Sequence, residues 1–318
     1  MKIIVTGIAG AIGSHVAEAL KEASHDVIGI DAITDYYDPE IKEANIDDLN
    51  NVGIPVIRKD LAVDDISKDL EGVEVLYHFA AQPGISLSTS FEDYLKNNIV
   101  ATQKLLEAVS KHPSLKLLVH ISTSSVYGAH ADSDETSLPK PTSFYGVTKL
   151  AGEQLALAYA REKGLPVTVL RLFSVYGERE RPEKLYSKVI ENILHDKPFT
   201  LYDGSEKHRR SYTYVGDVVR ACLLVIDKIE QVKGEIFNIG NDMTITTGEG
   251  LAIVEKITGK KILIQKVPSR AGDQLETMAK IDKARRVIGY NPTVSPEEGL
   301  RRQVEWHKKK LHKSQNKS

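Results

Sequence analysis

Six short apolar runs, near residues 2–6, 26–30, 54–58, 73–79, 116–122 and 167–172, alternate with longer helical segments, the clearest near 11–23, 89–111 and 143–163. Strands separated by stretches of that length cannot be joined as tight hairpins. They are the pattern of a parallel sheet covered by helices on both faces, an α/β fold with a doubly wound sheet. After about residue 173 the rhythm breaks. The stretch 174–210 is polar and carries Pro182, Pro198 and Gly204; 211–228 reads as strand plus helix, 235–239 as strand and 247–310 as mixed elements. The expected organisation is a cofactor-binding domain over 1–173, with contributions from about 211–245, and a smaller α+β C-terminal substrate domain built from 174–210 and 246–318.

Bulk properties limit what such a fold can do. At 318 residues the chain suits one large or two medium domains, and 41% hydrophobic residues is enough for a core. A formal net charge of -2 leaves no electrostatic footprint for nucleic acid or a membrane surface, so neither is expected as a partner. The lone cysteine, Cys222, rules out an internal disulfide framework and fits a reducing compartment. Met1 runs directly into the strand-like Lys2–Thr6, leaving no room for a signal peptide, and no 18-residue apolar run follows. A cytoplasmic protein is expected. The 10 histidines show no metal spacing, so no metal is expected, and His78, within a strand-like run, reads as packed.

Where the first strand meets the first helix stands Gly7-Ile8-Ala9-Gly10-Ala11-Ile12-Gly13. In a parallel sheet this turn is where a dinucleotide pyrophosphate approaches. Gly7 permits the tight turn, Gly10 lets the backbone come close to phosphate and Gly13 allows close helix–strand packing; Ala11 and Ile12 belong to the same cofactor-binding turn. The spacing is GxxGxxG in place of GxGxxG. Asp31 ends the second strand 18 residues after Gly13, where a carboxylate accepts from the adenosine ribose hydroxyls and repels a 2′-phosphate. The expected cofactor is NAD in preference to NADP.

A second motif, Tyr145-Gly146-Val147-Thr148-Lys149, lies on the third long helix. At about 100° per residue, Tyr145 and Lys149 share one face a turn apart, opposite an apolar stripe of Val147, Ala151, Leu155 and Ala158. A phenol is a poor base at neutral pH, and an ammonium one turn away favours its anion. Lowering its pKa from about 10 to about 7 takes roughly 4 kcal/mol, which a positively charged nicotinamide ring helps to supply.

Between the two motifs lies Ser122-Thr123-Ser124-Ser125-Val126-Tyr127-Gly128, four hydroxyls at the end of the apolar run Leu117-Leu118-Val119. GxxGxxG after the first strand, an acid after the second, a Ser/Thr cluster before VYG, and YxxxK occur in that order. Together they resemble the extended short-chain dehydrogenase/reductase superfamily in its nucleotide-sugar epimerase/dehydratase branch, and the resemblance covers nearly the whole chain. The glycine turn departs from the usual GGAGFIG, with Ile8 and Ala11 in place of Gly and Phe. The resemblance implies a Rossmann-type doubly wound parallel sheet and a smaller domain that closes over a UDP- or dTDP-sugar. It places Asp60 and Leu61 at the adenine and Phe79, Ala80 and Ala81 along the cofactor's central portion; it counts Phe173 with the cofactor-binding residues, and has Asn98 steady the strand ends. It makes Thr123 the hydroxyl on the sugar 4-oxygen and Tyr145 the base that takes the 4-hydroxyl proton as hydride leaves C4 for NAD. Lys149 lowers the phenol and binds the nicotinamide ribose. Return of hydride to the opposite face, with the proton returned by Tyr145, inverts C4.

Neighbouring positions discriminate within that branch. The dTDP-glucose dehydratases carry Asp-Glu directly after the Thr, where this chain has Ser124-Ser125; the UDP-glucuronate decarboxylases carry Glu just before VYG, where this chain has Ser125. Without those acids, 4-epimerisation remains. Asp35-Tyr36-Tyr37-Asp38-Pro39 and Arg171 to Gly177, followed by Arg179 and Arg181-Pro182, look like the UDP-glucuronate 4-epimerases. Ser124, Ser125, Ser174 and Arg181 then suit a C6 carboxylate, although the same hydroxyls could serve only strand-end backbone groups. A UDP-glucose 4-epimerase stays the alternative, because Pro83-Gly84-Ile85-Ser86 does not match the uronate enzymes' segment after the fourth strand. An NAD sensor or a small-substrate dehydrogenase lies further off.

The segment His208 to Val215 resembles the family's Arg-x-Tyr/Phe-x-x-Val, which puts Arg210 on the diphosphate. Arg270-Ala271-Gly272-Asp273 resembles its RxGD segment, with Arg270 on phosphate and Asp273 on the uridine ribose. Residues 147–160 are apolar or small nearly all round, more than a sheet alone needs to bury. A homodimer through helices near 89–111 and 143–163 is expected.

Overall fold

The computed structural model describes residues 1–86, 88–269 and 276–315. Its central sheet is made of β1 (Lys2–Thr6), β2 (Asp26–Asp31), β3 (Val56–Arg58), β4 (Val75–His78), β5 (Leu117–Thr123), β6 (Val167–Leu172) and β7 (Ile236–Ile239). The spatial order is β3-β2-β1-β4-β5-β6-β7, and every neighbouring pair is parallel. Strands β4, β5 and β6 are buried along their whole length, which is why they read as near-continuous apolar runs. The chain leaves β1 toward β2 on one side and later crosses to β4 on the other. The C-terminal ends of β1 and β4 therefore open a crevice at the point where the winding reverses, the usual ligand site of an open α/β sheet.

Helix α1 (Ala11–Glu22) starts at the glycine turn, and α2 (Pro39–Asn51) follows β2. The second helix was not expected. It begins on an Asx cap, Asp38 Oδ1 accepting from Glu40 N at 3.0 Å, with proline at the first helical position, and it turns Asn45, Ile46 and Leu49 inward. The expected helix near 89–111 is continuous but not uniform: Phe91–Tyr94, a π-helical Leu95–Val100 and Ala101–Val109 run on as one element, α3. Helix α4 (Phe144–Lys163) is capped by Ser143 and stopped by Gly164 in the left-handed conformation.

Beyond β6 come α5 (Leu185–Leu194), α6 (Val215–Ile226), α7 (Thr247–Thr258) and α8 (Pro296–Gln315). Helix α6 packs on the sheet through Val218, Ala221, Cys222 and Val225. A separate apolar core, drawn wholly from residues between Tyr176 and Leu300 or Val304, joins α5, α7 and α8. The stretch 279–290 behaves differently from its neighbours in sequence. Ile281, Ala284, Ile288 and Tyr290 pack into the sheet's own core, and Tyr290 OH donates to Gly240 O at 3.0 Å, because these apolar groups cover the outer strand β7.

Candidate active site

A cleft of about 1090 Å³ runs from the glycine turn, over the ends of β1, β4 and β5, to the loop after β6. At one end it is lined by Gly7, Gly10, Ala11, Ile12, Gly13 and Asp31. Gly7 has φ +71°, and a Cβ there would stand 2.6 Å from Ala80 N, so the turns after β1 and β4 meet too closely for any side chain. The first turn of α1 has neither a side-chain cap nor an acidic residue, so its N–H groups and dipole stay available to an anion. Asp31 is fixed beside them, Oδ2 accepting from Ala9 N at 3.0 Å and Oδ1 from Ile33 N at 2.9 Å. Each carboxylate oxygen keeps a lone pair for a ribose hydroxyl. These residues fit a dinucleotide without a 2′-phosphate, and Phe79, Ala80 and Ala81 continue the wall.

Other positions expected at the cofactor lie elsewhere. Asp60 and Leu61 are not among the lining residues. The Asp60 carboxylate pairs with Lys96 at 2.7 Å, and Leu61 is buried in the apolar layer beneath α3. Phe173 points into the sheet's core. Asn98 sits behind the wall in the π-helical turn of α3. Its Oδ1 accepts from Gln82 N at 2.7 Å and its Nδ2 donates to Gln82 O at 3.2 Å and Thr148 Oγ1 at 3.0 Å. One amide thus ties the loop after β4 to the helix that carries Lys149.

Tyr145, Lys149 and Thr123 converge on the cleft. Thr123 ends β5 in extended conformation and caps the 3-10 turn Ser124–Tyr127 by accepting from Ser125 N at 3.2 Å. Its hydroxyl lies near enough to the Tyr145 phenol to act on its ionisation. Burial pushes that phenol above its ordinary pKa; the Thr123 hydroxyl and then the Arg181 guanidinium pull it back. Lys149 holds Ile121 O at 2.6 Å, and burial brings its pKa down to about 8 against the charge of Glu153, which raises it. The two cations therefore divide the work: Lys149 is tied to the end of β5, and Arg181 is the charge that acts most on the phenol.

At the sugar end Ser124, Ser125, Ser174, Arg181 and Arg210 all line the cleft. The serines stand at the ends of β5 and β6, while Arg181 reaches in from the loop that follows. Arg270 and Asp273 lie outside the described residues. Lys184, which the motifs did not single out, also lines the cleft, and burial lowers its pKa, Glu180 opposing that effect.

Beneath the hydroxyl cluster lies a buried network that the motifs did not announce. Glu153, fully buried on α4, accepts from Arg171 Nε at 3.0 Å and Nη2 at 2.5 Å and from Ser122 Oγ at 2.7 Å. Arg171 Nη1 reaches Tyr127 OH at 2.8 Å, which in turn donates to Asn238 Oδ1 at 2.8 Å. Ser122 is thereby committed to structure, and β5, β6, β7 and α4 are locked in register just below the cleft. The available signal was Arg171, the one charged residue in the otherwise apolar run Val167–Leu172.

Comparison with known proteins agrees with this geometry. Residues 3–240 match the NAD dependent epimerase/dehydratase family. The uncharacterized UDP-glucose epimerase YtcB of Bacillus subtilis (strain 168) is 38% identical, over 96% of this chain and 97% of that protein. UDP-glucuronate 4-epimerase 4 of Arabidopsis thaliana is 34% identical over 96% of this chain and 75% of its own length. The structure of UDP-glucuronic acid 4-epimerase from Bacillus cereus, in complex with UDP-glucuronic acid and NAD, superimposes with a TM-score of 0.92 at 39% identity, over 97% of this chain and 99% of that one. The chain therefore belongs to the NAD dependent epimerase/dehydratase family.

Proposed function

We propose that the chain is an NAD-dependent UDP-sugar 4-epimerase that interconverts UDP-glucuronate and UDP-galacturonate. The observation that carries this reading is the surroundings of Tyr145. The Thr123 hydroxyl and the charge of Arg181 both act on the phenol, with serines at 124 and 125 where elimination or decarboxylation calls for acids. The relatives from Arabidopsis and B. cereus, both described as acting on UDP-glucuronate, support it.

Tyr145 removes the proton of the 4-hydroxyl and later returns it, while Thr123 holds the 4-oxygen in line with the phenol. Bound NAD supplies the acceptor and donor of hydride at C4. Asp31 and the glycine turn hold the dinucleotide, and Lys149 stands where its ammonium meets the nicotinamide ribose. Ser124, Ser125, Ser174 and Arg181 receive a C6 carboxylate by charge-assisted hydrogen bonds, and none of them is a base that would draw out CO₂. Arg210, with Arg270, clamps the diphosphate, and Asp273 takes the uridine ribose. The division into a cofactor domain and a smaller sugar domain, a homodimer built on α3 and α4, and a cytoplasmic location belong to the same proposal.

The second reading, UDP-glucose and UDP-galactose, is favoured by the likeness to YtcB. Incubating the NAD-loaded protein with each of the four UDP-sugars and resolving products by NMR separates the two. Interconversion of the uronates is expected. Conversion of the neutral pair alone selects the second reading, conversion of none overturns both, and release of CO₂ overturns the role given to Ser125.

A further inference from the structure

Arg181 does not wait in the cleft as a free cation. Its Nη1 is 2.7 Å from Glu183 Oε1, two residues on in the same chain. Pro182 stands between them, and the turn is closed by Lys184 N donating to Arg181 O at 3.1 Å, so both side chains leave one tight bend. The two groups differ in exposure. The Arg181 side chain is 16% exposed, over the ring of Tyr36 at 5.7 Å and against the backbone of Gly84, where a Cβ would come 3.1 Å from Nη2. Glu183 is 43% exposed and can turn into solvent at little cost. Both line the cleft, and the Arg181 charge reaches the Tyr145 phenol.

Glu183 stands on Nη1, so a carboxylate that would take both terminal nitrogens of Arg181 must displace it. We propose that Glu183 is an internal stand-in for the substrate carboxylate: it occupies Arg181 in the free enzyme, yields it when a uronate binds, and reclaims it as the product leaves. This rests on the uronate reading of Arg181. A neutral sugar has nothing to offer the guanidinium, so with UDP-glucose the Arg181–Glu183 pair stays closed. The buried cation is then never left uncompensated beside the reacting phenol. Glu183 therefore weakens binding of the uronates and leaves binding of the nucleotide end untouched.

The exchange is measurable by calorimetry on NAD-loaded protein in a Tyr145→Phe background, where the ligand is not converted. Glu183→Gln is expected to tighten UDP-glucuronate about two- to fivefold, the range of a partly exposed ion pair, with UDP and UDP-glucose unchanged. The gain is expected to vanish when Arg181→Gln is combined with it. If Arg181→Gln alone weakens UDP-glucuronate but Glu183→Gln leaves it unchanged or weakens it, the stand-in role is overturned and the uronate reading survives. If Arg181→Gln alone has no effect on UDP-glucuronate, the receptor role of Arg181 fails and the stand-in role fails with it.

Discussion

At Tyr145 burial and charge oppose one another, and the balance decides whether the phenol can act as a base. Desolvation raises its pKa, and Thr123 and Arg181 lower it. Replacing it with Phe removes the proton acceptor but not the ring that packs 6.2 Å from Tyr94, so the cleft keeps its shape. Tyr145→Phe is expected to cut turnover by about 10²–10⁴-fold, the usual worth of a positioned acid–base group. Retention of NAD is expected to match the unsubstituted enzyme, read from the absorbance of cofactor released on denaturation. Turnover within tenfold of normal would refute the assigned base. This residue and Lys149 were legible because a 3.6-residue repeat puts positions four apart on one face. The four hydroxyls at 122–125 were legible only as a group. Which of them faces the cleft and which is consumed by Glu153 depends on a charge 31 residues away on another element.

Among the elements, those with a strong period or an apolar run were plain in the sequence and those held by polar contacts were not. The six strands and three helices expected before residue 173 all exist, with ends moved by a residue or two. Helix α2 was missed because its inward face mixes Lys42 and Asn45 with Ile46 and Leu49, although Asp38-Pro39-Glu40 is a start signal. The π-helical turn of α3 has no sequence signature, yet it aims Asn98 at Gln82. A further property belongs to the strands. His78 on β4 and His120 on β5 lie side by side, ring centroids 5.5 Å apart and both buried. His78 is satisfied as a neutral ring by Thr6 Oγ1 at 2.8 Å and Thr102 Oγ1 at 3.0 Å, whereas neither His120 nitrogen has a partner among the described residues. Burial, then the Lys149 charge, brings His78 down to about 3 and holds His120 well below its ordinary value. The unfolded chain protonates first as pH falls through about 6.5, so stability is complete above that pH and drains away below it. Each histidine contributes about 1.4 kcal/mol per pH unit. Urea midpoints measured at pH 7.5, 6 and 5 should fall steadily, and the slope should flatten in a His78→Gln, His120→Gln variant. A midpoint that does not move between pH 7.5 and 5 would contradict a neutral pair.

On the scale of the whole molecule, burial along α4 runs against hydropathy. The inward face carries Thr148, Lys149, Gly152 and Glu153 together with Ala156 and Leu157, while Val147 is 45% exposed. Phe144 at its start is 62% exposed, and on the neighbouring α3 Phe91, Leu95 and Val100 are 41%, 38% and 37% exposed. Phe91 and Phe144 already meet edge to face, centroids 5.4 Å apart, so these side chains form one patch across two helices. Contiguous apolar surface of this kind is costly in water unless another surface covers it, and two helices presenting it in parallel can pair with a second copy about a twofold axis. Under the proposed function Tyr145 and Lys149 turn to the cleft, which leaves part of this surface uncovered, and pairing with a second copy would bury it. The chain of 35.2 kDa is therefore expected to elute at twice that mass at micromolar concentration. Val100→Glu puts a charge on the α3 side of the patch, away from the residues that line the cleft. It should shift the elution to the monomer while far-ultraviolet circular dichroism stays unchanged. Loss of helical signal would instead mark a folding defect, so light scattering on the folded fraction reads the association alone. A parent protein that scatters as a monomer at that concentration would remove the reason given for the exposed patch.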